Sequence, residues 1–218
     1  MESRVVLPEI LDTLSPEDPG AVANRRDLRL INRIMGNWRW IARELRRFHQ
    51  PGQTVVEGGA GEGDLGNFLV KAIPTLRKEQ YIGLDLWGRP SEWPKNWGWE
   101  QADLLEYSPD KVPDIFIVNL LLHQFEDDPI QRLGERLADV PVWIINEPQR
   151  TRWAIWQLAL LKPLGLHPVS WHDGRVSIRA GFRGDELANL LGAGRAGRHY
   201  KVSVDPRGGH RLISWKEN

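Results

Sequence analysis

The chain has no cysteine among its 218 residues. That excludes a disulfide framework, a thiolate nucleophile and a cysteine metal site. It has no charge excess of either sign, with 29 Lys plus Arg against 29 Asp plus Glu. Such a balance offers no footprint for a nucleic-acid backbone or an anionic membrane. No apolar run is long enough for a membrane helix. The acidic stretch 1–14 lacks the basic region and apolar core of a signal peptide. There are no repeats, low-complexity stretches or linkers. These absences leave one ordinary domain, 1–218, expected to be soluble, cytoplasmic and without stable membrane insertion. What is present in unusual number is tryptophan, 11 residues.

The order of elements can be read from periodicity. Ser15-Pro16-Glu17-Asp18 reads as a helix start, with Pro at the first helical position. From Asn24 to Phe48 the apolar residues Leu28, Ile31, Met35, Trp38, Ile41 and Leu45 keep helical spacing, and Gly36 divides the segment. Residues 1–50 are thus expected to form a helical cap on an α/β core, 51–218. Strands are expected at Thr54–Glu57, Tyr81–Leu86, Trp99–Asp103, Asp114–Asn119 and Val142–Asn146. Helices are expected at Asp64–Ile73, Pro129–Leu137, Trp153–Leu161 and Asp185–Leu191. Tyr200 to Trp215 alternates on both sides of Asp205-Pro206-Arg207-Gly208-Gly209, a hairpin signal. Strands alternating with helices give a doubly wound, mostly parallel sheet, here of seven strands, closed by an antiparallel hairpin.

The most informative stretch is Val55-Val56-Glu57-Gly58-Gly59-Ala60-Gly61-Glu62-Gly63-Asp64-Leu65-Gly66. A β-branched run, an acid, glycines at alternate positions and a helix start describe a nucleoside-cofactor site at a sheet edge. Two registers fit. From Gly61, the string satisfies the dinucleotide fingerprint G-x-G-x-x-G. From Glu57, it satisfies the E/D-x-G-x-G-x-G loop of class I S-adenosylmethionine-dependent methyltransferases. The strand ends near Val56, so Gly61 comes too late for a dinucleotide. Glu57 would also stand where a pyrophosphate must go, and suits a cofactor bearing an ammonium and a sulfonium instead.

Further polar residues fall at successive strand ends, where ligands of open α/β sheets bind. Asp85 can accept both ribose hydroxyls. Asp103 can accept from an adenine amino group, with Leu104 against the ring, and Asn119 faces the centre of the cofactor. The competing reading of an isolated Asp there is a turn or helix cap. The chain resembles class I S-adenosylmethionine-dependent methyltransferases, a Rossmann-like fold. Within them it is similar to small bacterial quinone-type enzymes associated with type III polyketide pathways. The resemblance rests on Arg26-Asp27-Leu28-Arg29-Leu30-Ile31-Asn32, the loop Glu57 to Leu65, Gly83-Leu84-Asp85-Leu86, Asn119 to Phe125 and His172-Asp173-Gly174-Arg175-Val176-Ser177. It implies S-adenosylmethionine as cofactor, S-adenosylhomocysteine as product, and contacts from Glu57, Gly59, Gly61, Gly63, Asp85, Leu86, Asp103, Leu104 and Asn119. Arg29 and Asn32 are placed to reach the cofactor's carboxylate if the first helix closes over it. The chain departs from these enzymes at Gly58-Gly59-Ala60 and at Asn146-Glu147-Pro148-Gln149-Arg150.

No metal is required. Methyl transfer to oxygen needs a base with a pKa near the working pH, for which His123 and His172 are the candidates. Against these stand a backbone-bonded helix start for His123 and a hairpin turn for His172-Asp173-Gly174-Arg175. Trp38, Trp40, Trp153, Trp156 and Trp171, with Phe125, could line an aromatic acceptor pocket or belong to the core. Four further tryptophans in 87–99 either wall an adenine site or pack on the sheet edge. The acceptor is expected to be a small apolar, phenolic or quinone-like molecule and not nucleic acid; oligomeric state is left open. Two alternatives remain. A nicotinamide-dependent reductase would need Tyr107-Ser108-Pro109-Asp110-Lys111 as its Tyr-x-x-x-Lys, which Pro109 opposes. The other is a non-catalytic S-adenosylmethionine-binding protein, favoured by an occluded pocket.

Overall fold

The structure, a computed structural model, describes residues 3–108, 111–195 and 197–217. Seven strands form one sheet: β1 Val55–Gly58, β2 Tyr81–Asp85, β3 Gly98–Gln101, β4 Ile115–Asn119, β5 Val142–Pro148, β6 Arg198–Asp205 and β7 Gly209–Lys216. Their order is β3-β2-β1-β4-β5-β7-β6. The first five are parallel, and β7 enters antiparallel between β5 and β6. The doubly wound sheet with a terminal hairpin is therefore as expected. β1 and β4 are buried on both faces because helices cover both.

Side chains alternate between two cores. Val55, Ile115, Ile117 and Ile144 pack toward α2 (Asn37–Phe48) and α3 (Asp64–Ala72). Val56, Phe116, Val118 and Ile145 pack toward α4 (Asp127–Arg136) and α7 (Glu186–Leu191). A third cluster joins Ile31 of α1 (Pro19–Met35) to Ala154 and Leu158 of α5 (Arg152–Ala159) and Ile178 of α6 (Pro168–Ala180). These three helices make a roof. The expected cap thus divides at Gly36, which turns the chain at φ 67°. α2 packs on the sheet, and α1 joins the roof.

Two local expectations are corrected. The first long helix begins at Pro19, with Asp18 accepting from the Gly20 N–H at 2.7 Å, and not at Pro16. Ser15-Pro16 has the same cap chemistry but precedes no apolar stripe. Residues 172–175 are helical and not a hairpin turn. Gly174 faces α5 so closely that a Cβ would come within 2.7 Å of Leu158. Its lack of a side chain serves helix packing there, with Pro168 and His167 starting the helix.

Long-range polar contacts fix the roof. Asp27 accepts from the His167 N–H and the Ser170 hydroxyl, both at 2.8 Å, tying α1 to α6. Arg207 and Arg211, at the hairpin tip and on β7, donate to the carbonyls of Ile34 and Met35 at 3.2 Å. These cations meet the negative end of α1. Among the described residues no helix is long and apolar enough to cross a membrane.

Candidate active site

The glycine loop follows β1. Gly59, Gly61 and Gly63 all have positive φ, at 72°, 53° and 77°. Only glycine takes that conformation freely. A Cβ at Gly59 would lie 2.5 Å from Leu121, and one at Gly63 2.2 Å from Trp93. A Cβ at Gly61 would meet nothing within 4 Å, so the middle of the loop faces open space. The Asp85 carboxylate stands beside it, accepting from the Gly61 N–H at 2.8 Å and the Trp87 N–H at 3.0 Å. Each oxygen keeps acceptor capacity for a ligand. Leu86 and Trp87 follow, 64% and 68% exposed, and give the cradle an apolar border.

Glu57 does not face that space. It is buried and accepts from the Tyr81 hydroxyl at 2.6 Å. Burial, with help from Asp85 and Asp64, raises its pKa to about 8 against the pull of Tyr81 and the Gly66 N–H. It is thus mostly neutral near neutral pH. In this position it braces the loop from beneath. Leu104 is likewise buried, and would contact a Cβ at Gly58 at 2.9 Å. It packs under the loop. Asp103 is exposed, and its side chain accepts from the Leu105 N–H at 2.9 Å, the cap role weighed against it.

α1 lies across the loop. Arg29 pairs with Asp64 at 3.4 Å and Arg25 with Glu62 at 2.9 Å. Asn32 accepts from Asn37 at 3.0 Å and from Asn119 at 3.1 Å, and Asn119 accepts from Asn146 at 2.9 Å. This amide chain brings Asn32 and Asn119 together beneath α1. Arg29 and Asn32 therefore have protein partners at the loop and at the end of β4.

Beyond Asn119 the chain turns at Leu120, which is the one non-glycine residue with positive φ among those described, at 58°. A branched side chain held there costs on the order of 1–3 kcal/mol, a strain that clusters at functional sites. Leu120 borders a cavity of about 220 Å³. Its wall is aliphatic, from Leu28, Ile31 and Ile34 of α1 and Ala154, Leu158 and Leu161 on and after α5. Glu9, His123, Gln124 and Ser177 supply a polar head.

That head is a buried chain of charges. His123 Nδ1 lies 2.7 Å from Glu147, which also accepts from the N–H groups of Leu121, Leu122 and His123. His123 Nε2 lies 3.5 Å from Glu9. Burial lowers the imidazole pKa, but the bonds and charges of Glu147 and Glu9 outweigh it and raise the value to about 9. The two flanking acids thus favour the protonated imidazole. Burial raises the pKa of Glu9, but His123, Ser177 and Gln124 outweigh it and leave the value lowered. Its oxygens accept from Ser177 at 2.5 Å and Gln124 at 3.3 Å. The segment carrying Glu9 is anchored by Asp173, which accepts from the N–H groups of Ile10 and Leu11. Arg4 extends the anchor to the Phe125 and Ala180 carbonyls and to Asp127.

His172 is not in the cavity. Its side chain is 49% exposed and lies 3.0 Å from Asp173 on the outside of α6. The aromatic lining is also corrected. Trp38 packs on Phe68, Trp40 is buried beneath Arg211, and Trp171 lies under Lys162. Trp153 and Trp156 are exposed, and Phe125 packs on the sheet core. In the 87–99 stretch, Trp93 and Trp97 are buried edge to face against one another and both pack on Tyr81, and Trp93 lies against Gly63 and Gly66. Sequence reasoning missed Glu9, which lies in an irregular segment with no motif. It quoted Glu147 and Ser177 without assigning either a role.

Comparison with known proteins agrees with this geometry at the level of fold. No protein-family model matches the chain, and no curated protein sequence matches it. Solved structures do. The plantazolicin methyltransferase BpumL, in complex with a triazolic desmethylPZN analog and SAH, superposes with a TM-score of 0.70 at 12% identity, over 95% of this chain and 93% of that one. A putative O-methyltransferase from Nostoc punctiforme PCC 73102 gives 0.61 at 15%, over 94% and 62%. The pyocyanin biosynthetic protein PhzM gives 0.55 at 17%, over 81% and 54%. The chain thus has the Rossmann-like methyltransferase fold.

Proposed function

We propose that the chain is an S-adenosylmethionine-dependent methyltransferase acting on a small, largely apolar acceptor with one reactive group, phenolic or quinone-like. One observation carries this: an open glycine cradle beside Asp85 is separated, at the strained Leu120, from an aliphatic cavity headed by Glu9 and His123. The cradle fits the cofactor, because Gly61 leaves free space and Asp85 keeps acceptor capacity for a ribose diol. When bound, S-adenosylmethionine supplies a methyl group already activated by its sulfonium. The chain's own contribution is then placement. Asp85 orients the ribose, and Leu86 borders the adenine. The aliphatic wall holds the acceptor and excludes water. Glu9, ionised and held by Ser177 and Gln124, accepts a hydrogen bond from the acceptor's hydroxyl and orients it. Protonated His123, fixed by Glu147, positions Glu9. The chain works as one unit, with α1 closing the cofactor space.

The alternatives find less support. Tyr107, which a reductase would need, is buried and packed on Phe116, with its pKa raised by burial to about 12. Pro109 and Asp110 of that string lie outside the described residues. The cavity is present and not occluded, which disfavours a non-catalytic binder. The aliphatic wall of the cavity suits a small apolar acceptor better than a nucleotide chain. Incubation with methyl-labelled S-adenosylmethionine and a panel of phenols, resorcinols, quinols, RNA and peptides tests the reading. Label is expected in a small phenolic compound. Label only in RNA or peptide overturns the acceptor assignment.

A further inference from the structure

The outer side of α5 and the turn after it carry large apolar residues that the cavity does not use. Trp153, Trp156, Leu160 and Leu164 are 62%, 69%, 67% and 71% exposed. Trp153, Trp156 and Leu160 follow an i, i+3, i+7 pattern, a single helix face. The opposite side of the same helix, Ala154 and Leu158, walls the cavity. The apolar surface continues onto α1. Leu30 and Leu164 border one shallow recess, and Ile31 and Leu161 border both that recess and the cavity. Ile34, on the rim of the cavity, is itself exposed.

The charge around this face departs from the balance of the chain. From Thr151 to Phe182 the sequence holds Arg152, Lys162, Arg175 and Arg179 against a single acid, Asp173. Asp173 is buried and spent on the Ile10 and Leu11 N–H groups. Arg152, Lys162 and Arg179 are exposed, as is Arg33 on α1, while Arg26 is paired with Asp27 at 2.9 Å. Whole-chain neutrality conceals a basic, tryptophan-bearing face.

We propose that this face docks on the surface of an anionic lipid bilayer, with α5 lying in the interface. Exposed tryptophan and leucine beside Arg and Lys are the chemistry of an interfacial helix. Indole rings favour the headgroup level. Trp153 already satisfies its N–H on the Pro206 carbonyl at 3.3 Å, so its ring is held in place. A second copy of the chain fits less well. A two-fold contact would set Arg152 and Lys162 against their own like charges. The surface borders the cavity, so docking would present the cavity wall to apolar molecules dissolved in the membrane. The proposal does not depend on the methyl-transfer reading.

Flotation of the full chain with lipid vesicles tests it. One vesicle is phosphatidylcholine alone; the other contains about one quarter phosphatidylglycerol. The chain is expected to float with the anionic vesicle at low salt, to be released by high salt, and to ignore phosphatidylcholine. The double variants Trp156→Ser with Leu160→Ser, and Arg152→Glu with Lys162→Glu, are each expected to weaken binding by about tenfold or more. All four side chains are exposed, so the circular dichroism spectrum of each variant is expected to stay that of the folded chain, with Lys162→Glu losing only its contact with the Trp171 ring. No binding to anionic vesicles at low salt, or equal binding by the folded variants, overturns the proposal. So does a stable dimer by light scattering that the Trp156/Leu160 variant dissolves, because a second copy then covers the face.

Discussion

Three carboxylates show how environment decides what an acid does. Asp85 is held at the loop by two N–H groups and keeps acceptor capacity toward open space. Glu9 is ionised at the head of an aliphatic cavity. Glu57 is buried under the loop and mostly neutral. Glu9→Gln is expected to lower turnover by misplacing the acceptor while leaving S-adenosylhomocysteine affinity intact. Steady-state rates beside a binding titration check it. His123 has a raised folded pKa, so its contribution to stability is fully present below about 6.5 and is lost as pH rises through about 9. Turnover is expected to fall over the same rise, and His123→Gln to remove that limb of the profile. Glu57 is also raised, from 4.5 to about 8, so its contribution is full below 4.5 and is lost as pH rises through 8. Glu57→Gln, neutral throughout, is expected to flatten that decline in urea melts at about pH 5 and about pH 8. An unaltered slope would show that Glu57 is ionised in the folded chain. Asp85 and Glu57 are legible in sequence as strand-end acids, while Glu9, in a segment without motif or period, is not. Protonation is legible for none of them, because it depends on Tyr81, Glu147 and burial, which only the fold brings near.

At the scale of elements, what could be read followed from what packing demands. β1, β4 and β5 open on apolar runs, Val55-Val56, Ile115 to Val118 and Val142 to Ile145, because parallel strands are covered on both faces. The helix α6 was obscured by Asp173-Gly174, a turn signal that here serves a close helix crossing. The segment before α1 has neither period nor motif, yet it delivers Glu9 through its contacts with Asp173 and Arg4. Two truncations separate these roles. Removing 1–12 is expected to leave the sheet and S-adenosylhomocysteine binding in place while turnover falls, since Glu9 is lost. Removing 1–33 also takes Arg25, Arg29 and Asn32 from the glycine loop and β4, and is expected to reduce both thermal stability and cofactor affinity. A folded 1–33 deletion that binds normally would refute closure by α1.

Across the whole molecule, the strand order and the reversed β7 set the cradle and the cavity side by side at the carboxyl ends of the strands. Composition misleads here in two ways. Eleven tryptophans suggested an aromatic pocket, but Trp93 and Trp97 are core and Trp153 and Trp156 face outward. Zero net charge offers no sign of an anionic partner, but charge is distributed by face and not by total. The central claim is that the loop holds S-adenosylmethionine and not a dinucleotide. Calorimetric titration of the full chain with S-adenosylhomocysteine and with NADH, each beside Asp85→Ala, tests it directly. The expected result is a single S-adenosylhomocysteine site weakened by about 1.5–3 kcal/mol in Asp85→Ala, with no NADH binding. Tight NADH binding with no response to S-adenosylhomocysteine would contradict the account.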